Sequence, residues 1–574
     1  MQTKTFAWLL LFISTIGHSQ ITDFEWAGLT VGVNTNRPSI IHVDPSENIY
    51  TAGRFDGNIR YIAPDGTTSL AIGGADNLFI QKVDAAGNLS WLRQINSVDF
   101  SSTEDILTDS EGNLYVGGEF TNRISLEGDG FEPMVSQGPR NSFLVKFDVD
   151  GNPVWQLNFG NENRSTIEAM AVDQEDAIYV LGEFEGVLEF DAQNPTITLD
   201  AGDTWASFIA KYDSDGNVLW ARTYTATASE GSGPIDAVIN EQNQLVVVGA
   251  FRESITFLSS ALEATFSTMQ DAVDGYMLKF DLDQDGLLIA AHEVGDVLSG
   301  QVSMNGVATD AMGNIYVECF FSGALAFDNG VVVEEFEATL PNSLVVKFDV
   351  DGEVNWIKQF EALDELGRVT TGDIEVDEAG NVVLVGGFTG RVDFDLSPDN
   401  SFELNADDGT NNNVKHFITY LSPEGEWINT YQYAGEGAYT FGGVVAVQAE
   451  HVYIAGGYAR TIDINPLPDV TQTVMTENAG DAYLIKLQYD VPVSIPVVAP
   501  ESSLSIFPNP TRDQVTLMHL SIEGPYRLMN TLGQVVQSGW LAPAGQTELS
   551  LHALGAGIYW LRTRTHVAIP IIKY

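Results

Sequence analysis

One motif returns seven times along this chain and limits its fold more than any other feature. It is a short strand-like run ending in glycine and an aromatic residue. The first four copies are Asn48-Ile-Tyr-Thr-Ala-Gly-Arg-Phe55, Asn113-Leu-Tyr-Val-Gly-Gly-Glu-Phe120, Ile178-Tyr-Val-Leu-Gly-Glu-Phe184 and Leu245-Val-Val-Val-Gly-Ala-Phe251. The other three are Asn314-Ile-Tyr-Val-Glu-Cys-Phe-Phe321, Asn381-Val-Val-Leu-Val-Gly-Gly-Phe388 and His451-Val-Tyr-Ile-Ala-Gly-Gly-Tyr458. Successive closing aromatics lie 65, 64, 67, 70, 67 and 70 residues apart. A second motif keeps the same interval: strand, Asp-rich turn, strand with tryptophan. It is clearest in Phe143-Leu-Val-Lys-Phe-Asp-Val-Asp-Gly-Asn-Pro-Val-Trp155, and it recurs at Phe208–Trp220 and Leu344–Trp356. Weaker copies start at Phe79, Tyr276, Phe417 and Tyr483.

Each copy therefore offers β-branched and aromatic segments joined by Asp-Gly turns, which are hairpin signals. Many segments are apolar on both faces, so each sheet must be covered on both sides. Arranging the copies radially does this for every copy at once, and closing the ring removes two apolar end faces. About 67 residues per copy holds four strands and one excursion, more than compact propeller repeats need. The expectation is an all-β chain: a seven-bladed β-propeller over residues 20–490, followed by a small C-terminal β-sandwich. The last copy lacks its Trp-bearing strand, and the orphan segment Phe24-Glu-Trp-Ala27 is expected to supply it.

The ends differ from the middle. Lys4 followed by the apolar run Phe6–Ile16 reads as a signal peptide over residues 1–19. Gly17 and Ser19 stand at −3 and −1 of a cleavage site that leaves Gln20 as the new terminus. Eleven residues at about 1.5 Å each cannot cross a hydrocarbon core of about 30 Å, and no later stretch is long enough, so no transmembrane segment is expected in the mature protein. Residues 491–502, with Pro492, Pro496 and Pro500, read as a stiff linker. Residues 21–490 hold 20 basic and 75 acidic residues, a charge of −55, whereas residues 503–574 hold five basic and three acidic, or +2. That swing marks a separate terminal unit. The whole chain carries −53, which argues against nucleic acid as a partner.

The tail resembles the type A sorting domain of the bacterial type IX secretion system. The resemblance rests on Phe507-Pro508-Asn509-Pro510, on Leu528 to Val536 with Gly533, on Leu554 to Leu561 with Gly557 and Tyr559, and on the terminal Lys573-Tyr574. It implies export across the outer membrane of a Bacteroidota-type bacterium, with the secretion machinery as partner and the cell surface or the medium as destination. The repeats, over roughly residues 24–487, resemble the SBBP-type β-propeller repeats of exported bacterial proteins. That family is defined by architecture and implies no single activity. Copy four departs from the pattern, with Leu288-Ile289 where tryptophan is expected, and copy six has Tyr420 in place of lysine.

Candidate chemistry is sparse. Asp281, Asp283 and Asp285 are spaced as in a calcium loop, but the twelfth position is His292, with Glu293 one place late. Ca²⁺ is the one candidate cofactor, and the alternative is that Asp and Gly simply suit a tight hairpin. The repeated lysines (Lys82, Lys146, Lys211, Lys279, Lys347, Lys486) are expected to pair within a copy, with acids such as Glu119 or Glu183. The tryptophans are expected to pack between copies. Cys319 reads as a small buried residue, and His42, His292, His416 and His451 are too scattered for a metal site. HExxH, GxSxG and GxxxxGK sequences are absent.

Two functions fit. One is a non-catalytic binding or scaffold module that presents variable loops, such as Gly128–Met134 and Asn405–Asn413, to an extracellular protein or glycan. The other is a secreted lyase or glycosidase with its acid and base in the funnel of the ring. Non-repeated polar groups converging on the axis would favour the enzyme.

Overall fold

A computed structural model describes most of residues 20–490 and much of 504–573. Residues 1–19, 491–503, 508–510, 530–534 and short loops such as 127–129 and 407–413 lie outside the described residues. Ser19, the linker, Pro508, Asn509, Pro510 and Gly533 fall there. The chain divides into two compact units, Met1–Pro492 and Val493–Tyr574.

Strand dominates. Among the described residues the only helical segment is a 3-10 turn at Leu282–Gln284. Copy two shows the unit: Ser101–Thr108, Leu114–Phe120, Asn141–Phe147 and Pro153–Phe159 form an antiparallel meander in chain order. Its second and third strands are buried throughout, while the fourth is largely half-exposed. This is why the middle strands read as continuous apolar runs. Seven such four-strand runs occur among the described residues, those of copies four and five sharing one sheet through a single parallel pair, Val273 with Gln301.

Copy seven draws on both ends of the unit. Tyr439–Gln448, His451–Ala459 and Asp481–Asp490 are followed on the sheet by Gln20–Gly32, with Trp26 opposite Lys486 and Ala27 opposite Ile485. The first strands follow one another in space. Arg37–Val43 touches Ser101–Thr108, which touches Ser165–Val172, then Pro234–Ile239, Asp296–Thr309, Arg368–Val376 and Tyr439–Gln448. Tyr439–Gln448 in turn touches Arg37–Val43.

Two devices lock neighbouring copies together. In the first, Lys82 Nζ and Trp91 Nε1 both donate to the carbonyl of Val149, at 3.3 and 3.1 Å. Lys146 and Trp155 do the same to Ser214, at 3.0 and 3.1 Å, and Lys347 and Trp356 to Pro423, at 2.7 and 3.0 Å. Each tryptophan also lies on the next copy's turn. A Cβ at Gly151, whose φ of +76° already calls for glycine, would come within 2.6 Å of the Trp91 ring. In copy four His292 takes this place, its ring lying over Gly352.

The lysines therefore differ from expectation in their partners. Glu119 is bound by Arg140, whereas Lys146 and Lys211 pair with the turn aspartates Asp109 and Asp173 at 3.2 and 3.0 Å. Lys146 also rests 4.9 Å from the centre of the Tyr115 ring, and that phenol donates to Asp109. The lysine bridges its own turn to the neighbouring copy, a role that single-strand spacing does not reveal.

In the second device, the excursion of one copy laps back on its predecessor. Arg123–Leu126 pairs with Leu89–Ser97, Ser254–Leu258 with Thr225–Thr227, and Ile59–Ile62 with Gln20–Gly32.

The terminal unit has two sheets. Gln514–His519 lies between Leu504–Phe507 and Gly545–Ser550, while Val535–Leu541, Gly524–Met529, Gly557–Thr563 and His566–Lys573 form the other. Val515, Leu517, Leu528, Leu549, Tyr559, Leu561 and Ile571 make one apolar core from both.

Candidate functional site

The first strand of each copy carries a β-bulge near its middle. A bulge inserts one unpaired residue and re-aims the side chains around it. The extra residues are Ser39, Glu104, Glu168, Ile235, Asn305, Gly372 and Gly442, so carboxylates fall there only in copies two and three.

These two glutamates belong to an irregular polar group. Ser102 Oγ donates to Glu104 and lies 3.4 Å from Glu119 Oε1. Arg140 Nη1 is 2.5 Å from that same oxygen, and its guanidinium stands 4.6 Å from the centre of the Phe100 ring. Arg54 covers the same ring at 5.2 Å, and Arg164 lies 5.4 Å from the Trp205 ring. Glu183 packs on the backbone of Gly233, where a Cβ would come within 2.3 Å of its Cγ.

The carboxyls perturb one another. Burial pushes Glu168 up to about 8, and the nearby charges of Glu104, Glu183 and Glu119 add to this against a hydrogen bond from Thr166. Burial also raises Glu104, opposed by its Ser102 hydrogen bond and by Arg140. Burial thus favours the protonated form of Glu168 at neutral pH, beside three other carboxyl groups. Such a set can donate and accept hydrogen bonds to hydroxyls, and it can move a proton.

The residue after each bulge alternates in kind. It is Asp105, Asp236 and Asp373 in copies two, four and six, but Ile40, Ala169, Gly306 and Gly443 in the others. Each aspartate accepts a backbone N–H of the following copy: Met170 at 2.6 Å, Val307 at 2.8 Å and Val445 at 2.9 Å. Sequence reading named none of these aspartates, nor Glu104 or Glu168. Glu119 and Glu183 were visible as the only glutamates in a Gly-Glu-Phe strand end, but Glu104 and Glu168 align only once the bulge is known.

The Asp-rich loop is used by its own turn. Asp281 Oδ1 accepts the N–H of Asp283 at 3.0 Å and Gln284 Nε2 donates to Asp281 Oδ2. Asn243 Nδ2 holds Asp283 at 2.7 Å, and Asp285 adopts the left-handed conformation with φ of 55°. The carboxylates do not converge, and among the described residues no group of three or more His, Cys, Asp or Glu is placed to hold a metal ion. Asp148 behaves likewise, accepting from Asp150 and Asn152 at 3.0 and 2.8 Å. Cys319 is fully buried, its thiol raised well above the usual range by burial and by Glu318.

A cleft of about 430 Å³ opens elsewhere, beside Gln359, Glu361, Asp364 and Glu365. Its Asp364 is already held by the N–H groups of Leu366 and Arg391.

In the tail, Lys573 is buried and donates to the carbonyls of Leu551 and Leu554, each at 2.6 Å. Tyr559 donates to Gly555 at 2.8 Å, and Gly557 opens the same strand. The lysine thereby ties the last strand to the turn that precedes Gly557–Thr563. Residues 505–571 match the family model of the secretion system C-terminal sorting domain. The tail is a type IX sorting domain. It directs this protein through the type IX machinery to the cell surface or the extracellular space. Among the described residues, no helix is long and apolar enough to cross a membrane.

Other likenesses are slighter. An uncharacterised WD repeat-containing protein of Acanthamoeba polyphaga mimivirus is 26% identical over 222 residues, which is 34% of this chain and 16% of that protein. The regulatory protein FlaEY of Caulobacter vibrioides is 24% identical over 229 residues, 38% of this chain and 23% of its own length. The chain thus spans less than a quarter of either relative. A catalytically inactive virginiamycin B lyase from Staphylococcus aureus covers 80% of this chain and 99% of its own at 10% identity and a TM-score of 0.36. A gluconolactonase from Xanthomonas campestris covers 69% and 89% at 11% identity and a TM-score of 0.29. Neither structural likeness is strong enough to carry a statement about this chain.

Proposed function

We propose that residues 20–490 are a seven-bladed β-propeller of SBBP type, closed by the strand that begins at Gln20. Freed of a signal peptide and exported by its β-sandwich sorting domain, it works as a non-catalytic binding and scaffold module. One observation carries this reading. The repeated Lys and Trp hold copy to copy and the turn Asp holds the lysine, so that specific recognition falls to the residues that do not repeat. Those residues gather in copies two and three as Glu104, Glu119, Glu168 and Glu183 with Arg140, Arg164, Phe100 and Trp205. Carboxylates beside aromatic rings suit a hydroxyl-rich glycan or a basic peptide.

A second reading, a secreted carbohydrate-active lyase or glycosidase, is favoured by this same non-repeated polar group and by Glu168 within it. A carboxyl whose burial favours the protonated form at neutral pH, set among other carboxyls, has the character a general acid needs. Screening the full mature chain on glycan and peptide arrays, with hydrolysis of each glycan hit followed in parallel, separates the two. Binding without turnover, weakened by Glu119→Ala, is the expected outcome. Cleavage that Glu168→Gln abolishes would replace the scaffold with the enzyme.

A further inference from the structure

Copies six and seven build their excursions in the same way. In copy six the N–H of Phe402 donates to Asp393 Oδ1 at 2.8 Å, and its carbonyl accepts from the N–H of Phe394 at 2.9 Å. In copy seven Gln472 makes the same two bonds, to Asp463 Oδ1 at 2.8 Å and from Ile464 at 3.1 Å. Gln472 therefore stands in the place of Phe402. The facing strands match as well. Trp427 pairs with Leu421 and Phe24 with Leu487, and each is followed by a residue that the register skips, Ile428 and Glu25. Phe24 therefore stands in the place of Trp427.

In copy six both places hold rings. Phe402 stacks on Trp427, with centres 4.8 Å apart and planes inclined at 28°. In copy seven the amide of Gln472 replaces the ring of Phe402, and a cleft of about 370 Å³ opens there. Phe24, Pro64 and Leu467 give it apolar walls, while Asp23, Asn465 and Gln472 give it polar ones. That size and that mixture suit a small ligand.

The polar groups are not equally engaged. Asn465 is only 5% exposed; its Oδ1 accepts the N–H of Leu467 at 2.9 Å, but its Nδ2 has no partner among the described residues. The exposed carboxylate of Asp23 likewise makes no hydrogen bond or ion pair among the described residues. A donor on so buried a side chain is costly to leave without an acceptor.

We propose that this cleft is a sugar-binding site that seats one neutral pyranose ring, its apolar face towards Phe24 and its hydroxyls towards Asn465, Gln472 and Asp23.

A pyranose offers what the walls ask for. Its C–H face suits an aromatic ring, and each hydroxyl can accept from an amide N–H or donate to a carboxylate. The aromatic side chain of a peptide would refill the space that Phe402 occupies in copy six. It would leave Asn465 Nδ2 and Asp23 unpaired, which counts against it. Asp23 and Glu25 at the cleft, in a unit of charge −55, select against an acidic sugar. The cleft shares no residue with the polar group of copies two and three.

Saturation-transfer NMR on the full mature chain tests the site, with the methyl glycosides of glucose, galactose and mannose as probes. Methyl glucuronide and N-acetylphenylalanine amide run beside them. At least one neutral glycoside should bind in preference to both comparison compounds. Gln472→Phe supplies the ring that copy six carries and should abolish that binding. Asn465→Asp keeps the acceptor for Leu467 but loses the donor, and should weaken binding about tenfold, the scale of one good hydrogen bond. Binding by none of the glycosides, preference for either comparison compound, or a glycoside held as well by Gln472→Phe as by the wild type would each overturn the proposal. A glycoside of that last kind whose binding is lost in Glu119→Ala belongs to copies two and three, so the two sites fail separately. If Gln472→Phe does not fold, Asn465→Asp decides, and undiminished binding by it overturns the proposal.

Discussion

Trp26 and Lys486 reach the carbonyl oxygen of Ala85 from opposite ends of the folded unit, at 3.0 and 3.4 Å. They repeat at the seam the grip that a lysine and a tryptophan of a single copy make elsewhere. The seam adds its own ion pairs: Lys486 lies 2.8 Å from Glu47 and 3.2 Å from Glu25, with the ring of His451 3.4 Å from both acids. Trp26→Ala removes a buried indole and its hydrogen bond together. It should cost about 3 kcal/mol in denaturant unfolding, more than Trp427→Ala, whose half-buried indole bonds only to Thr430 of its own strand. A second expectation concerns Asp281 and Asp283. Because their carboxylates already serve the turn, millimolar Ca²⁺ should leave the thermal midpoint of the protein unchanged, and a rising midpoint would mark a real site. Turn aspartates were legible from sequence because their bonds run only two to four residues along the chain. The partners of the lysines were not, since they lie some 67 residues away on another copy.

Among the elements, Gln20–Gly32 bears the largest single responsibility, pairing with Asp481–Asp490 on one side and Ile59–Ile62 on the other. Deleting residues 20–32 exposes both edges and the apolar group of Tyr61, Val83, Tyr453 and Leu484 on which Trp26 packs. The truncated protein should melt well below the intact one and associate at its open edges, which calorimetry and size-exclusion chromatography will show. That this segment is strand-like with a tryptophan could be read directly. The bulges could not be read in advance. A bulge is a mismatch between two paired strands, and a single strand does not declare where its partner skips a residue. Glu104, Glu168 and the aspartates Asp105, Asp236 and Asp373 were hidden for this reason, although each stands in plain view in the sequence.

At the scale of the whole molecule the two units differ in composition, a strongly anionic repeat unit and a slightly basic tail. Removing residues 493–574 should leave the thermal midpoint of the remaining unit within about 1 °C, since no core is cut. The same deletion should stop export, so that the protein accumulates inside the cell when fractions are compared. The repeat period, the strand content, the turn chemistry and the sorting tail were determined by the sequence alone, because each rests on neighbours close along the chain or on a motif read as a string. Which residues meet at the copy boundaries, and where the acids collect, only the tertiary structure decided. Those encounters join residues about one repeat or more apart, and their geometry is set by strand register and bulge position rather than by any local preference.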